Sequence, residues 1–582
     1  MRVCLILPLL LIAAAPAPKP ATGDWNARFL KLSNDEYLWR LADSGQSTER
    51  GPAAIMPPHM PDVSPAAQAV RTAKWTDVLK QLDAIPQSAL SPENRVNYAV
   101  YRGQIEALAA EQKFREWEKP VNSDSPFWQV DVDPKPLRSD QEYQNYISRL
   151  GETLRYFDQQ IANMKAGEAR GFTAPKATLE GRDGSIASVA NAKKAEDTGY
   201  WGPFKEMPNN IPAARQDALR SQAREAIMAK VVPAYAKLLD YWKTDYFPHA
   251  NPVLAAEKLP DGEAYYRSKI AEFTTLDMTP DQIHAYGLQQ VASIHAEMLA
   301  VMKQTGFKGD FPAFLQYLRT DSQFYAKTPQ ALLDRAAWAA KMFDGKAATW
   351  FGHLPRGRFA IVPVPADIAP TYTSGRGGPG VYLVNTYDLP SRPLYQLTAL
   401  TLHESAPGHA FQIPLAQENK DQPRYRSEGY ISAYGEGWAL YCERLGDEMG
   451  MYQTPYEKFG MLSFQMWRAA RLVVDTGVHH LGWTRAQAQQ YLHDNTALAD
   501  HDIETEVDRY ISWPGQALSY YLGEKTIRDD RARAEKALGP KFNIRAFHDA
   551  ILQLGSVPMS VVDARTDQFI ADGGKGPYPD EE

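Results

Sequence analysis

Residues 381–409 read VYLVNTYDLPSRPLYQLTALTLHESAPGH, and three patterns follow one another along them. VYLVN, at 381–385, is the clearest strand signal in the chain. DLPSRP, at 388–393, is a turn. LYQLTALTLHE, at 394–404, is a helix that Ser391 can cap and whose first turn suits Pro393. Helical patterns dominate on both sides. TPDQ at 279–282 is a capping box, with Thr279 as N-cap, Pro280 at N1 and Gln282 at N3. Ile283, Leu288, Val291, Ile294, Met298 and Val301 then form one apolar stripe. Thr328-Pro329 and TRAQ at 484–487 repeat that grammar. Tyr146, Leu150, Leu154, Phe157, Ile161 and Met164 mark another amphipathic helix, and a helical run over 213–245 is expected to kink at Pro233. The expectation is a mainly α fold with a small β-sheet.

The helix at 394–404 runs into HESAPGH, 403–409. Its first two letters open the zinc-hydrolase pattern H-E-x-x-H, whose histidines stand four apart on one helical face. Here His403 and His409 are six apart. At about 100° per residue, an unbroken helix would point them to nearly opposite sides. Pro407 and Gly408 lie between them. Pro407 lacks an N–H and its ring clashes with the carbonyl of residue 403, while Gly408 accepts backbone angles that other residues avoid. The sequence therefore predicts a break between Ala406 and Gly408 that frees His409 to turn back toward His403.

Catalytic zinc takes three ligands from His and Asp/Glu and keeps a position for water. His403 and His409 supply two, and Glu404 is the base that would take a proton from a zinc-bound water. A third ligand is expected from EGWALYCE at 436–443, where Glu436 and Glu443 are seven apart and share a helical face. Glu436 is assigned as ligand and Glu443 as its support from behind. The strand before the helix can offer its edge to an extended substrate. Mixed His/carboxylate ligation favours Zn2+ among the divalent ions.

The rest of the chain sets bounds. It has 582 residues, 44% hydrophobic and 23% charged, with a formal net charge of −7. That length suggests roughly two to four domains or lobes. No Lys/Arg block stands out, which excludes nucleic acid as a partner. Arg2 is followed by VCLILPLLLIAAA, which is too short for a membrane span and reads as a secretory signal peptide ending near residue 21. Cys4 precedes the apolar core of that leader, so it is not a lipid-modified cysteine at a cleavage site. No later stretch is apolar and long enough to span a bilayer, so no stable membrane span is expected after signal removal. Cys442 would then be the remaining thiol, with no internal disulfide and no sign of nucleophilic use.

HESAPGHAFQ resembles the His-Glu-x-x-Pro-Gly-His block of a bacterial family catalogued as domain of unknown function 885. YLVNT at 382–386, EGWALYCE at 436–443, DTGVHHLGWT at 475–484, RYISWPGQALSYYLG at 509–523 and FHDAILQLGSVP at 547–558 are similar to further blocks of that family in the same order. TTLDMTPDQIHAYG at 274–287 fits more weakly. The family is regarded as zincin-like, so the resemblance implies a helix-rich metallopeptidase with a deep cleft between two lobes. It implies zinc at His403, His409 and Glu436, with Glu404 as base. At Ser405-Ala406 the chain departs from the bulkier residues the family often carries there.

Such chemistry also needs a donor to the oxygen of the attacked carbonyl. Tyr520 falls where the family carries tyrosine and is the first choice. Asn385, His479, Arg509 and Tyr510 are candidates for binding substrate. Each has a structural reading beside it: Asn385 as a strand end, His479 as a satisfied buried histidine, Arg509 as an ion pair with Glu506 or Asp508. SGRGGPG, 374–380, lacks the Gly-Lys-Ser/Thr ending of a phosphate loop, so it is read as a mobile rim loop instead. The chain is thus expected to have a signal peptide over 1–21, an N-terminal helical lobe over 22–270 and a catalytic lobe over 271–582, with the lobes interleaved. The expected function is that of an exported zinc metallopeptidase of short peptides, periplasmic or secreted. A zinc hydrolase of a non-peptide amide or ester, or a binding protein on a peptidase scaffold, would carry the same motif.

Overall fold

The computed structural model describes residues 24–578 apart from 123–125, 133 and 367. The leader read over 1–21 lies outside the described residues. Long helices build most of the molecule, and polar caps meet the free N–H groups at many of their starts. Helix α1 (Asp140–Arg170) opens at Ser139, whose side chain accepts from the N–H of Glu142. Its buried residues, among them Tyr146, Leu150, Phe157, Ile161 and Met164, sit in a hydrophobic cluster drawn from residues between Met60 and Ala250. Helix α2 (Pro280–Gln304) opens on the complete capping box of Thr279 and Gln282. Thr484 and Gln487 form another, and Thr328 caps the helix Pro329–Asp344. One member of the α2 stripe is misplaced: Leu288 is 46% exposed, and Gly287 takes the inward position. The run over 213–245 passes through a π-helical turn at Ile227–Val231, just ahead of Pro233, whose missing N–H the wider turn accommodates.

The sheet is small. Strands β1 (Ala360–Pro363), β2 (Gly375–Gly378) and β3 (Val381–Val384) lie in the order β1-β3-β2, with β1 parallel and β2 antiparallel to β3. Two expectations change here. The glycine-rich stretch is no loose rim but a strand, joined to β3 by a tight turn. VYLVN is the central strand, paired on both sides, so it has no edge to offer a substrate.

Helices α3 (Leu394–Glu404), α4 (His409–Glu418), α5 (Ser432–Glu448), α6 (Pro455–His479), α7 (Asp500–Ser512) and α8 (Ser519–Leu538) carry the C-terminal half. Ser391 does not cap α3. It bonds Asp388 within the turn Leu389–Ser391, and Pro393 occupies the N-cap. Helix α3 packs against α5 and α6, α5 against α8, and α6 against α2. Helix α6 is buried along nearly all its length from Phe459 to His479, so its charged side chains are enclosed with it. Among the described residues, no helix is long and apolar enough to cross a membrane.

Candidate metal centre

Helix α3 ends at Glu404 and α4 begins at His409, so the helix breaks where Pro407 and Gly408 predict. Ser405 and Gly408 leave the helical region, with ψ of −118° and −133°, and the Ala406–Pro407 bond is cis. The Gly408 N–H donates to the Leu402 carbonyl at 3.0 Å, and the Trp438 indole on α5 donates to the Pro407 carbonyl at 2.9 Å. No side chain fits at 408: a Cβ there would stand 1.8 Å from the His403 carbonyl oxygen.

The break brings the two imidazoles together. Their ring centres are 5.0 Å apart and their planes are 84° apart. Nε2 of His403 and Nε2 of His409 each lie 3.4 Å from Oε2 of Glu436. A tetrahedral ion with bonds of about 2.0–2.1 Å places its ligand atoms about 3.4 Å apart. The donor set and the spacing therefore fit zinc. All three side chains are buried or nearly so. From α5, Glu443 Oε1 accepts the Nδ1 proton of His403 at 2.8 Å, which leaves Nε2 as the atom offered to an ion. Burial opposes charge on both partners, yet it is outweighed. Hydrogen bonds to Glu436 and Glu443 hold His403 up at about 10, and the two imidazoles hold Glu436 well below the usual carboxylate range.

Glu404 is fixed from the sheet. Its Oε2 accepts from the Gly377 N–H at 2.7 Å. Strand β2 passes so close that a Cβ on Gly377 would stand 1.6 Å from the Glu404 carbonyl oxygen. This is why a strand of so little strand propensity is glycine-rich.

The phenol that touches the triad belongs to Tyr430, which sequence reasoning passed over. Its hydroxyl donates to Glu436 Oε1 at 2.9 Å, and the residue as a whole is 49% exposed. It packs on Gly435, where a Cβ would meet the ring at 2.4 Å. Enclosure of the hydroxyl and the charges of Glu436 and Glu404, with Tyr520 beside it, hold this phenol well above its ordinary pKa, so it remains a donor. Tyr520 itself is 8% exposed and accepts from Arg509 Nη2 at 3.2 Å. Arg509 also pairs with Glu506, at 3.4 Å, while Asp508 is taken by Arg485.

Three residues read as substrate contacts are engaged inside the protein. The Asn385 amide donates to the Ala369 and Tyr372 carbonyls and accepts from the Tyr387 N–H, closing the end of β3. His479 accepts from the Ala256 N–H and donates to the Tyr510 carbonyl, and burial pushes it down to about 4, so it stays neutral. The Tyr510 hydroxyl accepts from Trp467 and Arg471 and donates to Glu506. Cys442 is fully buried, and burial beside Glu443 keeps its thiol protonated. A second trio, Glu168, Asp245 and His249, lies nearer the surface, where His249 pairs with both acids at 3.2 Å.

A helix-rich chain with a His-Glu helix, a buried two-histidine, one-carboxylate cluster and a three-stranded sheet has solved relatives. A candidate lipoprotein of Colwellia psychrerythraea is similar over 94% of this chain and 99% of its own, with 26% identity and a TM-score of 0.86. A candidate lipoprotein of unknown function from Shewanella oneidensis shares the fold over 92% of this chain and 98% of its own, with 17% identity and a TM-score of 0.68. Residues 46–565 match the family described as bacterial protein of unknown function (DUF885), and the chain belongs to that family. No curated protein matches the sequence.

Proposed function

We propose that the protein is an exported zinc metallopeptidase acting on short peptides. The observation that carries this reading is the pair of 3.4 Å separations from Glu436 Oε2 to His403 and His409, which suit tetrahedral zinc without rearrangement. Zinc bound there would act as a Lewis acid on the scissile carbonyl and acidify the attacking water. Glu404 takes the proton of that water and passes it to the departing amine. Tyr430 would turn its one hydroxyl proton from Glu436 Oε1 to the carbonyl oxygen as negative charge develops there, with Tyr520 at its side. The candidate lipoprotein character of the Colwellia relative supports an exported location. Metal analysis after dialysis, together with a peptide-library digest, tests the proposal. One tightly held zinc with cleaved peptides supports it, and zinc without turnover of any peptide overturns it.

Two further results are expected. Tyr430→Phe retains zinc but lowers kcat about 10²–10³-fold with little change in KM, the pattern of a donor used mainly in the transition state. Steady-state kinetics alongside zinc stoichiometry check this. In zinc-stripped protein His403 carries a proton up to about pH 10 and must lose it to ligate. Zinc uptake therefore releases that proton, and affinity rises with pH, about tenfold per unit between roughly pH 7 and 9 from this group. Competition titrations in buffers of different ionisation enthalpy measure both quantities.

A further inference from the structure

Glu443 orients His403 from behind, and it needs a support of its own. The side chain is fully buried. Its Oε1 carries the bond to His403, and its Oε2 has no hydrogen-bond partner among the described residues. A second buried carboxylate, Glu524, stands near enough to repel it. A carboxylate taken out of water and left uncompensated is costly, so a charge of opposite sign is needed close by. Among the described residues, Arg468 is the one lysine or arginine in ion-pair contact with Glu443, its Nη2 standing 3.9 Å from Oε1. The neighbouring guanidinium groups are committed elsewhere: Arg444 to Glu297 at 2.6 Å, and Arg471 to Glu506 at 2.9 Å.

Arg468 is held firmly. It belongs to the buried helix α6 and is 4% exposed. Its guanidinium carbon lies 4.7 Å from the Phe464 ring centre, 4.3 Å from that of Trp467 and 5.9 Å from that of Tyr520. Aromatic faces attract a cation without accepting its N–H groups. That is how Nε and Nη1 stay without hydrogen-bond partners among the described residues. A separation of 3.9 Å is too long for a hydrogen bond, so the guanidinium acts on Glu443 through its charge rather than its fork. Of the charged groups around Arg468, Glu443 acts on it most strongly, ahead of Arg471, Tyr520 and Glu436. A lysine could shed its proton in such surroundings, whereas an arginine keeps its charge.

We propose that Arg468 is a positioning residue of the metal centre. Its charge holds Glu443 in place as the acceptor for His403 Nδ1, and so keeps His403 Nε2 aimed at the ion. This rests on the zinc centre of the metallopeptidase reading and adds no step to the chemistry.

Zinc affinity, measured by competition with a chelating dye, tests this in wild type, Arg468→Met, Arg468→Lys, Glu443→Gln and the double variant Arg468→Met/Glu443→Gln. Methionine keeps apolar bulk between the rings and removes the charge. Arg468→Met is expected to raise the zinc Kd about tenfold or more, the scale on which loss of a ligand's support is felt. Arg468→Lys, which keeps the charge, is expected to regain most of that loss. In the Glu443→Gln background the methionine substitution is expected to leave Kd unchanged or to lower it, because no carboxylate remains to be held. A merely structural role would weaken zinc by the same factor in both backgrounds, and that result overturns the proposal. So does an unchanged Kd for Arg468→Met, or a lysine variant as weak as the methionine one. The comparison of Glu443→Gln with the double variant stands even where Arg468→Met alone fails to fold, since removing both buried charges is tolerated better than removing one. Wild-type protein that binds no zinc removes the centre and the proposal with it. Zinc bound in the expected pattern, without cleavage of any peptide, upholds the proposal while the peptidase reading fails.

Discussion

Glu404→Gln is expected to retain bound zinc and to lose peptide turnover by a factor of about 10³ or more. The side chain is not one of the three that converge, so ion binding is left to His403, His409 and Glu436. Glutamine is nearly the same shape, and its carbonyl oxygen can still accept from the Gly377 N–H that positions Glu404. What it cannot do is take a proton from water. Retained zinc with lost turnover therefore isolates the proton-transfer step from folding and from ion binding. Unchanged kcat would remove Glu404 from the reaction, and lost zinc would make it a ligand. Zinc stoichiometry and kcat measured on the same preparation distinguish these outcomes.

Gly408→Ala is expected to destroy the centre from the backbone outward. The added methyl would stand 1.8 Å from the His403 carbonyl oxygen and 2.6 Å from that of Leu402. Both obstacles are backbone at the end of α3, so no rotamer change relieves them. The turn must open, which pulls the Gly408 N–H off Leu402 and carries His409 away from Glu436. A loss of about 3 kcal/mol or more in stability is expected, at the severe end for single substitutions. Zinc affinity should fall by a larger factor than for Tyr430→Phe, which removes one hydrogen bond and leaves the turn intact. Thermal unfolding with and without zinc measures both effects. A variant with wild-type Tm and full zinc content would show that the turn has another conformation that holds the same ligands.

Much of this was written in short-range patterns. Thr279, Thr328 and Thr484 mark helix starts because capping is settled within four residues. The break at 405–408 was legible for the same reason, since proline and glycine act on their own backbone. Glu436 and Glu443 were legible through helical periodicity. The misreadings come from contacts distant in sequence. Gly375–Gly378 forms a strand because β3 pairs with it, and at Gly377 the end of α3 leaves room for nothing larger than hydrogen, a constraint set 27 positions away. Tyr430 looked like one tyrosine among 30, and only the folding of its ring onto Gly435 places it on Glu436. His479 and Tyr510 looked like site residues because buried polar side chains carry the same letters whether they serve a ligand or the backbone. The arginines of α6 did leave a signal. Arg468 and Arg471 carry charge into a stretch, 459–474, whose other residues are apolar apart from Ser463 and Gln465, and a cation there needs a reason.

The hydrogen bond from Gly377 to Glu404 has a stereochemical consequence. A free carboxylate has two equivalent oxygens and can accept a proton on either. Here Oε2 is tied to the strand at 2.7 Å, and the symmetry is gone. On the proposed mechanism, Oε1 is the oxygen without that bond and the more basic of the two, so a backbone amide biases the direction of proton transfer. The glycine-rich stretch that the sequence offered as a mobile rim acts as the mounting of the base.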